Sequence, residues 1–82
     1  MAARNKLLNK LHNANKTFPW NDLVTLLNHL DYEKQEMAGS RVRFYNPKTK
    51  HMIRLHRPHP ENAIKGGALR DIKNTLRAEG YL

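Results

Sequence analysis

Between Ser40 and Pro60 the chain carries six Lys or Arg residues and three histidines, His51, His56 and His59, without a single carboxylate. Imidazole is the side chain whose unperturbed pKa lets it both take and give a proton near neutral pH. Beside cations that hold phosphates, such imidazoles suit proton transfer at a phosphodiester, and an anion is the expected target of the segment.

These residues need a scaffold, and alternation supplies one. Arg41 to Tyr45 and His51 to His56 read as two strands, joined by the turn formers of Asn46-Pro47-Lys48-Thr49-Lys50. If Val42 and Phe44 face the same core as Ile53 and Leu55, then Val42 opposes Leu55, Phe44 opposes Ile53 and Tyr45 opposes Met52, with a loop from Pro47 to Lys50. The same register places Arg43 across from Arg54 and Arg41 across from His56 on the other face. Like charges directly across a ladder destabilise a sheet unless an anion compensates them. The other reading of that pair is two long side chains splayed into solvent.

Composition agrees with a polyanionic partner. The 82 residues carry a formal net charge of +8, which favours nucleic acid or an anionic surface without deciding the fold. A chain this short builds one modest core and no large enzyme cleft. It has no cysteine, so disulfides and thiolate metal sites are excluded and a reducing cytoplasm is compatible. No apolar run reaches membrane-spanning length and the N-terminus lacks a signal-peptide block, so the expected location is cytoplasmic, with no membrane partner.

Two helical patterns precede the hairpin. Leu7, Leu8, Leu11 and Ala14 share one face of a helix over about Ala3 to Asn15, whose expected role is packing. Pro19 suits a helical first turn, and Trp20, Leu23, Val24, Leu27 and Leu30 form a stronger stripe ending at Asp31. Tyr32 to Met37 reads as a polar edge strand, followed by a tight Ala38-Gly39 connection. Beyond the hairpin, Pro58 and Pro60 oppose further pairing. Gly66-Gly67 then leads into a helix with Leu69, Ile72 and Leu76 on its apolar side and Gly80 at its stop. The order α-α-β-β-β-α predicts an α+β fold with a three-stranded antiparallel sheet, helices on one face and the other face accessible.

Several of these segments, namely Gly39-Ser40-Arg41-Val42, His56-Arg57-Pro58-His59-Pro60, Lys65-Gly66 and the helix containing Trp20-Asn21-Asp22-Leu23, resemble the HicA family of bacterial toxin-antitoxin modules. The resemblance covers about residues 19 to 82, within a single domain over 1–82. Residues 1–16 read as a helical extension of the core at 17–82. The resemblance implies a fold like that of a double-stranded-RNA-binding domain, an endoribonuclease toxin acting on mRNA, and neutralisation by a HicB-type antitoxin. Many members of the family place their catalytic histidine after Gly-Ser, where this chain has Arg41. Arginine stays protonated near neutral pH, so it clamps phosphate but is a poor general base. The register instead brings His56 to that neighbourhood from the opposite strand.

For cleavage without metal or other cofactor, a base removes the proton of the 2′-hydroxyl, its oxygen attacks the adjacent phosphorus, and an acid protonates the departing 5′-oxygen. His56 is the first candidate for base or acid and His59 the second. Arg41, Arg43, Arg54, Arg57, Lys48 and Lys50 are the candidates for holding RNA phosphates. Loop-fixing hydrogen bonds are the competing role for both histidines. His51 falls at the turn end on the Ile53 side, and His12 and His29 belong to helix surfaces or packing. A metal site built on His56 and His59 finds only Glu61 as a further ligand. Tyr45 is a candidate to stack a base, against the alternative of local packing. Lys65, Arg70, Lys73 and Arg77 of the last helix either extend the RNA surface or are simply solvated. Two function classes result: an RNase toxin, and a noncatalytic RNA-binding or antitoxin-binding member of the same fold.

Overall fold

Strand alternation organises the molecule. In the computed structural model, which describes residues 2–59 and 61–82 with side chains from residue 5 onward, the chain runs α1 (Ala2–Asn13), β1 (Thr17–Pro19), α2 (Trp20–His29), β2 (Glu33–Glu36), β3 (Arg41–Asn46), β4 (His51–His56), β5 (Ala63–Lys65) and α3 (Gly66–Ala78). Pro60 of the His-Arg-Pro-His-Pro segment lies outside the described residues. The strands β2, β3 and β4 form an antiparallel sheet in that order, with β3 central. The order α2-β2-β3-β4-α3 is that of a double-stranded-RNA-binding domain.

The hairpin register is the one expected: Arg41 pairs with His56, Val42 with Leu55, Arg43 with Arg54, Phe44 with Ile53 and Tyr45 with Met52. Val42, Phe44 and Ile53 are buried in one cluster with Leu23, Leu26 and Leu27 of α2 and with Leu69, Ile72 and Leu76 of α3. The helices therefore cover one face of the sheet and leave the other open. Trp20 meets the Phe44 ring edge-on at 6.1 Å, locking the start of α2 over the middle of β3.

The hairpin turn is fixed by a buried polar residue. The Asn46 side-chain oxygen accepts from the backbone N–H groups of Lys48 (2.9 Å) and Thr49 (3.2 Å), and its amide donates to the Leu30 carbonyl at 3.1 Å. An Asx turn thus ties the hairpin to the end of α2. Lys50 completes the turn at φ 61°, and Asp31 takes φ 72° where α2 stops. At the same end of the molecule, where Glu79 comes within 3.9 Å of His51, Gly80, at φ 88°, lets the Tyr81 N–H reach back to the Leu76 carbonyl at 2.9 Å.

Four details differ from the sequence expectation, the last of them at Tyr32. A two-stranded ribbon pairs Phe18 of β1 with Ile64 of β5, burying both side chains. Each strand has three residues, too few to show a period. Pro19 caps α2 from β1 with extended backbone (φ −58°, ψ 135°) instead of occupying its first turn. In the stripe of α2, Leu26 is fully buried while Val24 is only partly covered.

Tyr32 belongs to the core and not to the edge strand. It is 2% exposed, and its hydroxyl lies 2.6 Å from His51 Nδ1 on the covered side of the sheet. Burial first, then the neighbouring Tyr81 and Glu79, push the Tyr32 hydroxyl from about 10 up to about 12. A group whose pKa is raised on folding contributes stability that is complete below its unfolded pKa and is lost as pH rises through the folded one. The denaturant midpoint of the protein is therefore expected to fall between pH 10 and 12, and Tyr32→Phe to show a smaller fall. Equal losses in both proteins would exclude this origin.

Candidate functional site

The open face is a ladder of paired side chains built by strand alternation. Its outermost rung is Arg41 with His56, the next is Arg43 with Arg54, and the third is Tyr45 with Met52. From β2, Gln35 joins the Arg43 rung and Glu33 the Tyr45 rung. A groove of about 420 Å³ lies over the first two rungs, lined by Met37, Arg41, Arg43, Arg54, His56 and the intervening Val42 and Leu55. Met37 is an exposed large hydrophobic residue at its rim.

The three guanidinium groups in this groove have no carboxylate partner among the described residues. Arg43 Nε donates to Gln35 Oε1 at 3.1 Å, and Arg41 Nε donates to the Ala38 carbonyl at 3.3 Å. Both contacts are with neutral acceptors, so they orient the side chains and leave their charge uncompensated. Three cations with fork-like donors on one open face have the chemistry to hold phosphate oxygens.

His56 stands exposed at the end of this row, with Ser40 Oγ 3.4 Å from its Nδ1. The Ser40 carbonyl accepts from Arg57 N–H at 2.7 Å, which clamps the start of β3 to the end of β4. The imidazole is thereby placed with Nδ1 toward Ser40, and among the described residues Nε2 has no hydrogen-bond partner. Ser40 was visible in the sequence only as part of a motif. Its contact depends on the register of a residue just outside the strand.

The other candidates lie elsewhere. Arg57 falls on the covered side, where its guanidinium meets Glu36 Oε1 at 3.2 Å, and Lys34 holds the same carboxylate at 3.2 Å. Lys34 first, with Arg57 assisting, keeps the Glu36 carboxyl below the usual carboxylate range. Lys48 pairs with Asp31 at 3.2 Å, and Lys50 is exposed in the same turn. With a rise of about 3.3 Å per residue, the turn lies roughly 15–20 Å from the Arg41–His56 rung. Lys48 and Lys50 therefore mark a second patch at the far end of the hairpin. His59 is exposed in the segment after β4, and Glu61 is paired with Lys65 at 2.6 Å. Lys65 draws the Glu61 carboxyl below its ordinary range. On α3, Lys73 Nζ donates to the Ala14 carbonyl at 2.6 Å and Arg77 donates to Asn74. His12 and His29 are exposed on helices, while His51 is on the covered side with Tyr32.

A family model described as the HicA toxin of bacterial toxin-antitoxin systems matches residues 20–78, well over half of the chain. The chain belongs to the HicA toxin family. Comparison with curated proteins and with solved structures returns no match. The family match takes in the whole open face, from Glu33 on β2 to His56 on β4, together with both helices that pack beneath it. In this member of the family Arg41 and His56 share the outermost rung, so the cation and the imidazole come from opposite strands. Among the described residues no helix is long and apolar enough to cross a membrane.

Proposed function

We propose that this chain is an endoribonuclease toxin that cleaves mRNA in the cytoplasm without a metal ion and is held inactive by a HicB-type antitoxin. The observation that carries this reading is the pairing of exposed His56 with Arg41 at the end of a row of uncompensated guanidinium groups. In the tautomer that carries its proton on Nδ1, facing Ser40 Oγ at 3.4 Å, His56 offers Nε2 as the base for the 2′-hydroxyl. The 2′-oxygen attacks the adjacent phosphorus, Arg41, Arg43 and Arg54 stabilise the charge that builds on the phosphoryl oxygens, and the 5′-oxygen leaves with a proton. His56 or His59 supplies that proton. The products are a 2′,3′-cyclic phosphate and a free 5′-hydroxyl.

The same cationic face suits an antitoxin. An acidic surface laid over Arg41, Arg43 and Arg54 blocks the phosphate site and is drawn to it electrostatically. A second reading, a noncatalytic RNA-binding or antitoxin-binding member, is favoured by one observation: arginine follows Gly39-Ser40 where family toxins commonly have histidine.

Incubation of the purified protein with RNA in EDTA separates the two. Cleavage leaving cyclic phosphate ends is the expected result. Binding without cleavage selects the second reading. In both cases Arg43→Gln with Arg54→Gln is expected to flatten the salt dependence of binding by a slope of about 1.4, at roughly 0.7 per phosphate contact for single strands. An unchanged slope removes these residues from the phosphate site.

A further inference from the structure

We infer that the Glu33–Tyr45 rung is a base-recognition subsite that selects guanine in single-stranded RNA lying along the open face. The inference rests on the proposed RNA-binding reading of that face and adds which base it takes. Tyr45 is half-buried on the open face, between Glu33 of β2 and Met52 of β4. Among the described residues it has neither a ring partner nor a hydrogen bond to its hydroxyl. A partly exposed aromatic ring held by its strand and paired with a thioether residue is suited to stack a nucleobase.

Glu33 is the unusual member of the rung. The chain has seven Asp and Glu residues. Asp22, Asp31, Glu36, Glu61 and Glu79 all sit within ion-pair distance of a basic side chain or of His51. Glu33 and Asp71 have no such partner among the described residues, and only Glu33 lies on the open face. An anion there repels the phosphate backbone, so what it can accept is N–H groups from a base. Guanine presents N1–H and N2–H side by side on its Watson–Crick edge, two donors for two carboxylate oxygens. Adenine and cytosine set one amino group beside a ring nitrogen that repels the carboxylate, and uracil sets one N–H between two carbonyls. In duplex RNA that edge is already paired, so the subsite requires a single strand.

Spacing fits one nucleotide per rung. Same-face neighbours on a strand are about 6.6 Å apart, which puts Tyr45 one step from Arg43 and Arg54 and about 13 Å from Arg41 and His56. A guanine stacked on Tyr45 therefore seats its neighbouring phosphate between the paired arginines and delivers the next phosphate to the His56 rung.

The test is fluorescence anisotropy with short oligouridines, fully 2′-O-methylated so that no cleavage occurs, carrying one central guanosine, inosine or adenosine. A bidentate contact discriminates by roughly 5- to 150-fold, and guanosine is expected to bind tighter than adenosine by a factor in that range, with inosine, which lacks the N2 amino group, between them. Glu33→Gln, at an exposed edge position, is expected to melt like the wild type and to lose the discrimination. Tyr45→Leu is expected to weaken all three oligonucleotides alike. Salt-dependent binding with equal affinity for the three overturns the base subsite and leaves the phosphate-binding reading standing. Failure of every oligonucleotide to bind overturns both.

Discussion

Replacing His56 with alanine is expected to reduce RNA cleavage by about 100- to 10,000-fold, the usual contribution of a positioned acid or base, while the protein stays folded. The side chain is exposed, its one side-chain hydrogen-bond contact among the described residues is with Ser40 at 3.4 Å, and it is not part of the apolar cluster. A role confined to fixing the loop gives a different signature: lower thermal stability with partial activity. Circular dichroism, melting and cleavage measured on one preparation distinguish these. His59→Ala in parallel sorts the two proton transfers. Losses of comparable size at both positions assign base and acid to the pair, whereas loss at His56 alone leaves both transfers to His56. Folded His56→Ala with wild-type cleavage would falsify the acid-base role. Arg41 cannot substitute for the lost imidazole, because a guanidinium holds its proton throughout the neutral range.

The register that joins His56 to Arg41 could be read from sequence because Val42, Phe44, Ile53 and Leu55 alternate without interruption. A slip of one residue in either strand would turn that strand's pair, Val42 and Phe44 or Ile53 and Leu55, away from the core. Arg43 and Arg54 followed from the same pattern. The β2 strand gave no such signal: Glu33-Lys34-Gln35-Glu36 is polar on both faces, so nothing in its composition says which residues meet Arg43 and Tyr45. Glu33 and Gln35 consequently joined the face only once the pairing of β2 with β3 was known. Arg57 shows the opposite failure. It follows His56 directly in a cationic run, yet alternation turns it to the covered side, where Glu36 from that same unreadable strand neutralises it. Asn46 was legible as a turn former, but its bond to the Leu30 carbonyl depends on how the hairpin docks against α2.

The largest stability effect is expected from a residue outside the family match. Leu11 lies on α1, before the matched segment 20–78, yet it is fully buried in the cluster that contains Leu23, Leu27 and Leu76. Leu7, Leu8 and Ala14 pack against that cluster, Lys10 pairs with Asp22 on α2, and Lys73 of α3 reaches the Ala14 carbonyl. The segment expected from sequence as a helical extension thus closes the core over α2 and reaches α3. Leu11→Ala removes buried methyl groups and leaves a cavity, at a cost of about 2–5 kcal/mol. Domains have roughly 0.05–0.15 kcal/mol of stability per residue, so a chain this short has little to spare and the loss is a large share of the whole. A marked drop in the urea midpoint is expected for Leu11→Ala, with no drop for Lys6→Ala on the exposed side of the same helix. A chain starting at Lys16 is expected to melt lower still, because it uncovers Phe18 and Leu23 together with the site of Leu11. If Leu11→Ala and the shortened chain both kept the parent midpoint, α1 would be an appendage, and the open face would owe its geometry to α2 and α3 alone.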